Sequence, residues 1–95
     1  MSKSCTLQCE IRPGIFSNEY LATINTVESQ SGADSRAQVF ADKVCFANVN
    51  AQRQTASLRA TRVGSGPQKD TVVVVLPQPT IQNGPTILVR KSTMG

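Results

Sequence analysis

Residues 5–12 alternate in character: Cys5, Leu7, Cys9 and Ile11 can be buried, whereas Thr6, Gln8, Glu10 and Arg12 are polar. Successive side chains of an extended chain leave the backbone on opposite sides, so this stretch separates oil from water only as a half-buried β-strand. Pro13-Gly14 ends it. The same period returns at Glu19 to Val27, where Tyr20, Ala22 and Ile24 share a face, and at Thr55 to Val63, where Ala56, Leu58 and Ala60 oppose Ser57, Arg59 and Thr61. The polar run Ser29 to Ser35 reads as a hairpin loop between strands.

Two further extended segments lie near the carboxyl end. Thr71 to Leu76 is an unbroken β-branched run, which predicts a strand covered on both faces or one whose second face meets a partner. Pro77-Gln78-Pro79 stops it, Asn83-Gly84-Pro85 marks a tight turn, and Thr86 to Arg90 supplies a last strand. The loop between Val63 and Thr71, Gly64 to Asp70, contains Gly64-Ser65-Gly66-Pro67 and reads as a flexible hairpin connection. It lacks the lysine-serine pair and following helix of a phosphate cradle.

Ser35 to Val49 carries two patterns. Ala37, Phe40, Ala41, Val44 and Cys45 fit a helix face that Asp34 or Ser35 would cap. Val39, Phe46 and Val49 fall off that face, and a strand across 37–41, a turn near Asp42-Lys43 and a second extended piece bury more of them, Phe40 and Phe46 in the core included. The expectation is an all-β fold: one β domain over residues 1–95, built as a small antiparallel barrel or sandwich of five or six strands, with at most one short helix near residues 36–46.

Composition removes chemistries. There is no histidine among the 95 residues, so no Ser-His-Asp or Cys-His arrangement can form and the usual proton shuttle at neutral pH is missing. The six acids stand singly along the chain. No catalytic residue, no cofactor and no metal ligand set is expected. Cys5 and Cys9 on one strand would have backbones roughly 13 Å apart, too far for a disulfide or a shared zinc. Buried small thiols are the simpler reading, and a bridge from Cys45 to Cys5 or Cys9 stays open.

The start of the chain shows no apolar run of signal-peptide length, and Val72 to Leu76 is far shorter than a bilayer span, so a cytoplasmic protein without a membrane partner is expected. Charge is uneven. Residues 1–50 carry Lys3, Arg12, Arg36 and Lys43 against five acids, a net of −1, whereas residues 51–95 carry Arg53, Arg59, Arg62, Lys69, Arg90 and Lys91 against Asp70 alone, a net of +5.

Two kinds of partner follow. A non-catalytic accessory or regulatory module could bind a protein, or a second copy of itself, through an apolar knuckle at Ile15-Phe16 after the Pro-Gly turn. The valine-rich strand could serve the same end through Val73 and Val75, if it lies at a sheet edge. Alternatively Arg53, Arg59, Arg62, Arg90 and Lys91 form a basic face for single-stranded nucleic acid, if their strands are neighbours, with Phe16 and Tyr20 as the only aromatic platforms left outside the core.

Overall fold

The computed structural model describes residues 3–81 and 84–94. It is all β apart from two 3₁₀ turns, Lys43–Cys45 and Lys91–Thr93. Seven strands follow in chain order: β1 (Lys3–Pro13), β2 (Glu19–Val27), β3 (Asp34–Asp42), β4 (Phe46–Asn50), β5 (Thr55–Ser65), β6 (Thr71–Val75) and β7 (Thr86–Arg90). They form one antiparallel sheet in the order β3-β2-β1-β5-β6-β7, with β4 also on β5. The short piece β4 raises the number above the five or six expected.

Residues 34–46 resolve as strand, one 3₁₀ turn and strand. Asp42 decides where β3 ends, because its carboxylate accepts the Val44 N–H at 3.1 Å and caps the turn. The helix-face pattern therefore does not hold. Val44 is exposed, and Phe40 is half-buried on the outer face rather than in the core, because the strand period turns Ala37, Val39 and Ala41 inward instead. Gly64 and Ser65 extend β5 rather than belonging to a loop, and Gly66 N–H donates to Thr71 O at 2.9 Å to close the β5–β6 turn. Of the Asn83-Gly84-Pro85 turn, Asn83 lies outside the described residues.

The two longest strands make the sheet curl. β1 pairs with β5 from Lys3 to Glu10 but with β2 only from Glu10 to Pro13. β5 gives its first half to β4 and its second half to β6, with a register shift between Arg62 and Gly64. Such staggered pairing coils a twisted sheet into a half-barrel. Closure is by isolated contacts rather than a ladder: β7 packs beside β2, Met94 forms a bridge with Leu7, and Ile81 N–H donates to Gln38 O at 2.8 Å.

Inside the curl, cross-strand partners stack their apolar sides. Leu7 faces Leu58, Cys9 faces Ala56, Ala22 faces Val39, and Val72 faces Val89. Leu7, Ile24, Val39, Leu58, Val72, Val74 and Val89 have no exposed surface. Fully burying one such side chain contributes about 1.5–3 kcal/mol, which makes this shared interior the main support of so small a fold. Two buried hydroxyls are satisfied locally: Thr71 donates to Gln68 O at 2.7 Å and Thr80 to Gly84 O at 3.1 Å. Among the described residues no helix is long and apolar enough to cross a membrane.

Candidate interaction surfaces

The β1–β2 connection is a braced turn with oily residues on its outside. Gly14 N–H donates to Glu19 O and Glu19 N–H to Phe16 O, each at 3.2 Å. The Glu19 carboxylate folds under the turn, where Oε1 accepts the N–H groups of Ile15 at 2.9 Å and Phe16 at 3.2 Å. Gly14 makes room for it, since a Cβ there would run into the Glu19 side chain. Ile15 and Phe16 are left 75% and 67% exposed. Both backbone donors are occupied by the Glu19 carboxylate.

The neighbouring 3₁₀ turn extends the same end of the fold. Glu19 pairs with Asp42 across β2 and β3, and Lys43 N–H donates to Asn18 O at 2.8 Å. Lys43 lays its ammonium 5.0 Å from the centre of the Tyr20 ring, and Tyr20 meets Phe46 edge-on at 5.3 Å. Val44, the next residue, is 74% exposed. In the sequence Val44 stands only on the face of the alternative helix and is not singled out; the signal that could have placed it outside is Asp42, a strong capping residue two positions earlier.

The valine-rich strand is not an edge. β6 is paired with β5 on one side and β7 on the other, so no chain can add to it, and Val73 and Val75 are half-buried on its outer face. The basic residues are likewise not gathered. β6 separates β5 from β7, so Arg59 and Arg90 are not on neighbouring strands. Arg53 sits in the β4–β5 turn, its N–H donating to Asn50 Oδ1. Arg59 is exposed on β5 and reaches Val44 O at 3.3 Å, while Arg62 is half-buried opposite Lys3. Arg90 is committed to Asp34 and to Gly32 O, and Lys91 N–H donates to Asp70 O. Of the two aromatic platforms, Phe16 is open and Tyr20 is packed between Phe46 and Lys43.

All three cysteines are free thiols. Cys9 donates to Ala56 O at 3.4 Å, and burial pushes its thiol up to about 11. Burial also raises Cys5, against the opposing pull of Arg62. Among the described residues no three His, Cys, Asp or Glu side chains are grouped to hold a metal ion. A cleft of about 410 Å³ opens where Ser35–Ala37 of β3 approach Thr86–Leu88 of β7, with Val27 and Val73 in its lining. No family model, curated protein or solved structure gives a significant match to this chain.

Proposed function

We propose that this protein is a non-catalytic interaction module that docks a protein partner on the Ile15-Phe16 knuckle, beside Lys43. The observation that carries the reading is the double acceptance by Glu19 Oε1. A loop that exposes two large apolar residues gains nothing for its own fold, yet here a carboxylate holds them outward. Pre-organisation of this kind lowers the ordering cost of binding, and exposed aromatic and aliphatic anchors are what protein interfaces bury at their centres. Lys43, on the same rim, suits a partner with an acid beside its apolar contact.

The test compares proteins retained by immobilised wild type, Ile15→Ser/Phe16→Ser, Glu19→Gln and Arg59→Glu/Arg62→Glu. A partner held by the wild type and the arginine variant, lost by the knuckle double variant and weakened by Glu19→Gln is expected. Retention that ignores the knuckle sinks the reading. Binding of single-stranded nucleic acid that falls with salt and vanishes in Arg59→Glu/Arg62→Glu would replace it with the basic-face alternative.

A further inference from the structure

A partner that covers the knuckle also covers a charge. Ile15, Phe16, Tyr20 and Lys43 share the lining of one cleft of about 460 Å³. The Lys43 ammonium rests 5.0 Å from the centre of the Tyr20 ring, and Phe46 meets that ring edge-on at 5.3 Å. Among the described residues no carboxylate pairs with this ammonium. The two acids of this end are turned onto their own turns instead: Glu19 Oε1 accepts the Ile15 and Phe16 N–H groups, and Asp42 Oδ1 accepts the Val44 N–H.

We infer that the protein segment seated on the knuckle carries a carboxylate beside a large apolar side chain, the apolar group packing on Ile15 and Phe16 and the carboxylate reaching Lys43. This rests on the docking reading above and adds the chemistry that selects the occupant. In the free protein water solvates the ammonium. A partner that closes over Ile15 and Phe16 strips water from Lys43 as well, and a covered charge without a counter-ion is costly. A carboxylate in the partner removes that cost, a neutral segment leaves it in place, and a basic segment adds repulsion to it. The same ammonium therefore admits one class of partner and turns others away.

Tyr20 gives the cation a fixed place. The electron-rich ring face attracts the ammonium, so less side-chain freedom is lost when an acceptor arrives. An ammonium has three donors, and contact with one ring face leaves donors for an incoming carboxylate. A guanidinium at position 43 would stack on the same ring and offer a carboxylate two parallel bonds in place of a point charge.

Blocked pentapeptides titrated into the full chain, labelled with nitrogen-15 and read by the amide shifts of Ile15, Phe16 and Lys43, test the selection. The probes carry a central leucine flanked by glutamates, by glutamines or by lysines, and a central serine flanked by glutamates. The glutamate-leucine peptide is expected to bind about threefold tighter than the glutamine-leucine one, a margin of the size an exposed ion pair supplies. It should also bind tighter than the lysine and serine peptides, and added salt should shrink its margin over the glutamine peptide. Lys43→Gln should level the glutamate and glutamine peptides, Lys43→Glu should reverse the order in favour of lysines, and Lys43→Arg should widen the preference for glutamates. Ile15→Ser/Phe16→Ser should lose every leucine peptide. Leucine peptides that bind the knuckle without regard to their flanks overturn the inference and leave the docking reading standing. So does a preference for glutamates that survives Lys43→Gln. Shifts at none of the three amides with any peptide up to about 5 mM, where even a millimolar contact would register, also overturn it, while retention of a partner protein reads the docking separately.

Discussion

Arg90 of β7 reaches across the open side of the half-barrel to Asp34, 56 residues earlier, placing Nε and Nη2 each 3.1 Å from the same carboxylate oxygen. Its Nη2 also donates to Gly32 O at 3.1 Å. Among the described residues no ladder joins β7 to β2 or β3; this guanidinium, the Gln68 amide, which donates to Ser29 O at 3.2 Å, and the Ile81 N–H, which donates to Gln38 O at 2.8 Å, each tie the β2–β3 hairpin to the second half of the chain. The basic character of Arg90 is thus spent on closure.

Arg90→Lys should loosen that seam, because an ammonium cannot hold the same fork of donors. The Asp34 and Arg90 side chains are 84% and 41% exposed, so solvent screening limits the loss to about 1 kcal/mol or less. Urea unfolding would show this as a small fall in midpoint. Hydrogen exchange should speed up at Glu28 and Lys91, whose N–H groups donate to Ala33 O and Asp70 O beside the seam, while Leu7 and Leu58 keep their protection. Uniform loss across the sheet would contradict a local tie.

The buried thiol of Cys9 predicts weakness at high pH. Its folded value of about 11 lies above the ordinary 9.0, so between the two the native chain still holds a proton that the unfolded chain has released. The unfolded state then binds fewer protons, and stability falls as pH rises through that window. A shift of that size corresponds to roughly 2–3 kcal/mol lost by the upper end and none below the lower end. Cys9→Ala removes the titration. Urea unfolding of both chains at about pH 8 and about pH 10.5 should show a larger alkaline loss in the wild type, and equal losses would refute the assignment.

Gly64 and Gly66 lie two residues apart and should respond oppositely to alanine. A Cβ at Gly66 would strike the Thr71 hydroxyl and the Leu88 side chain, and Thr71 is buried with that hydroxyl already donating to Gln68 O. At Gly64 a Cβ meets nothing within 4 Å. Gly66→Ala is expected to cost about 1–3 kcal/mol through overpacking, and Gly64→Ala to stay within about 0.5 kcal/mol of wild type. Thermal unfolding of the two variants checks the contrast, which equal midpoints would erase.

Much of the interior was legible in the amino-acid order because side-chain direction in a strand is a local property. The alternation at Cys5 to Ile11, Tyr20 to Ile24 and Ala56 to Ala60 needed only the two-residue period, and each of these runs lies in a strand with that face inward. The Ile15-Phe16 turn was legible as a candidate for the same reason, since Pro13-Gly14 interrupts the pattern just before two apolar residues. What holds the turn was not legible. Glu19 looks like any strand-start carboxylate until the chain reverses and brings it beneath the amides of Ile15 and Phe16.

Neighbour relations between strands were beyond the reach of that local rule. Whether Val73 and Val75 sit on an edge, whether Arg59 and Arg90 adjoin, and which way Phe40 faces all depend on strand order, and order depends on how distant segments pack. By itself the sequence determined period, punctuation and the set of residues able to share a core. Only the tertiary structure decided that β6 is interior, that Arg90 is a latch and that β3 and β7 end the sheet, because hydrogen-bond partners across a sheet are chosen by the shape of the whole curl rather than by any residue's immediate neighbours.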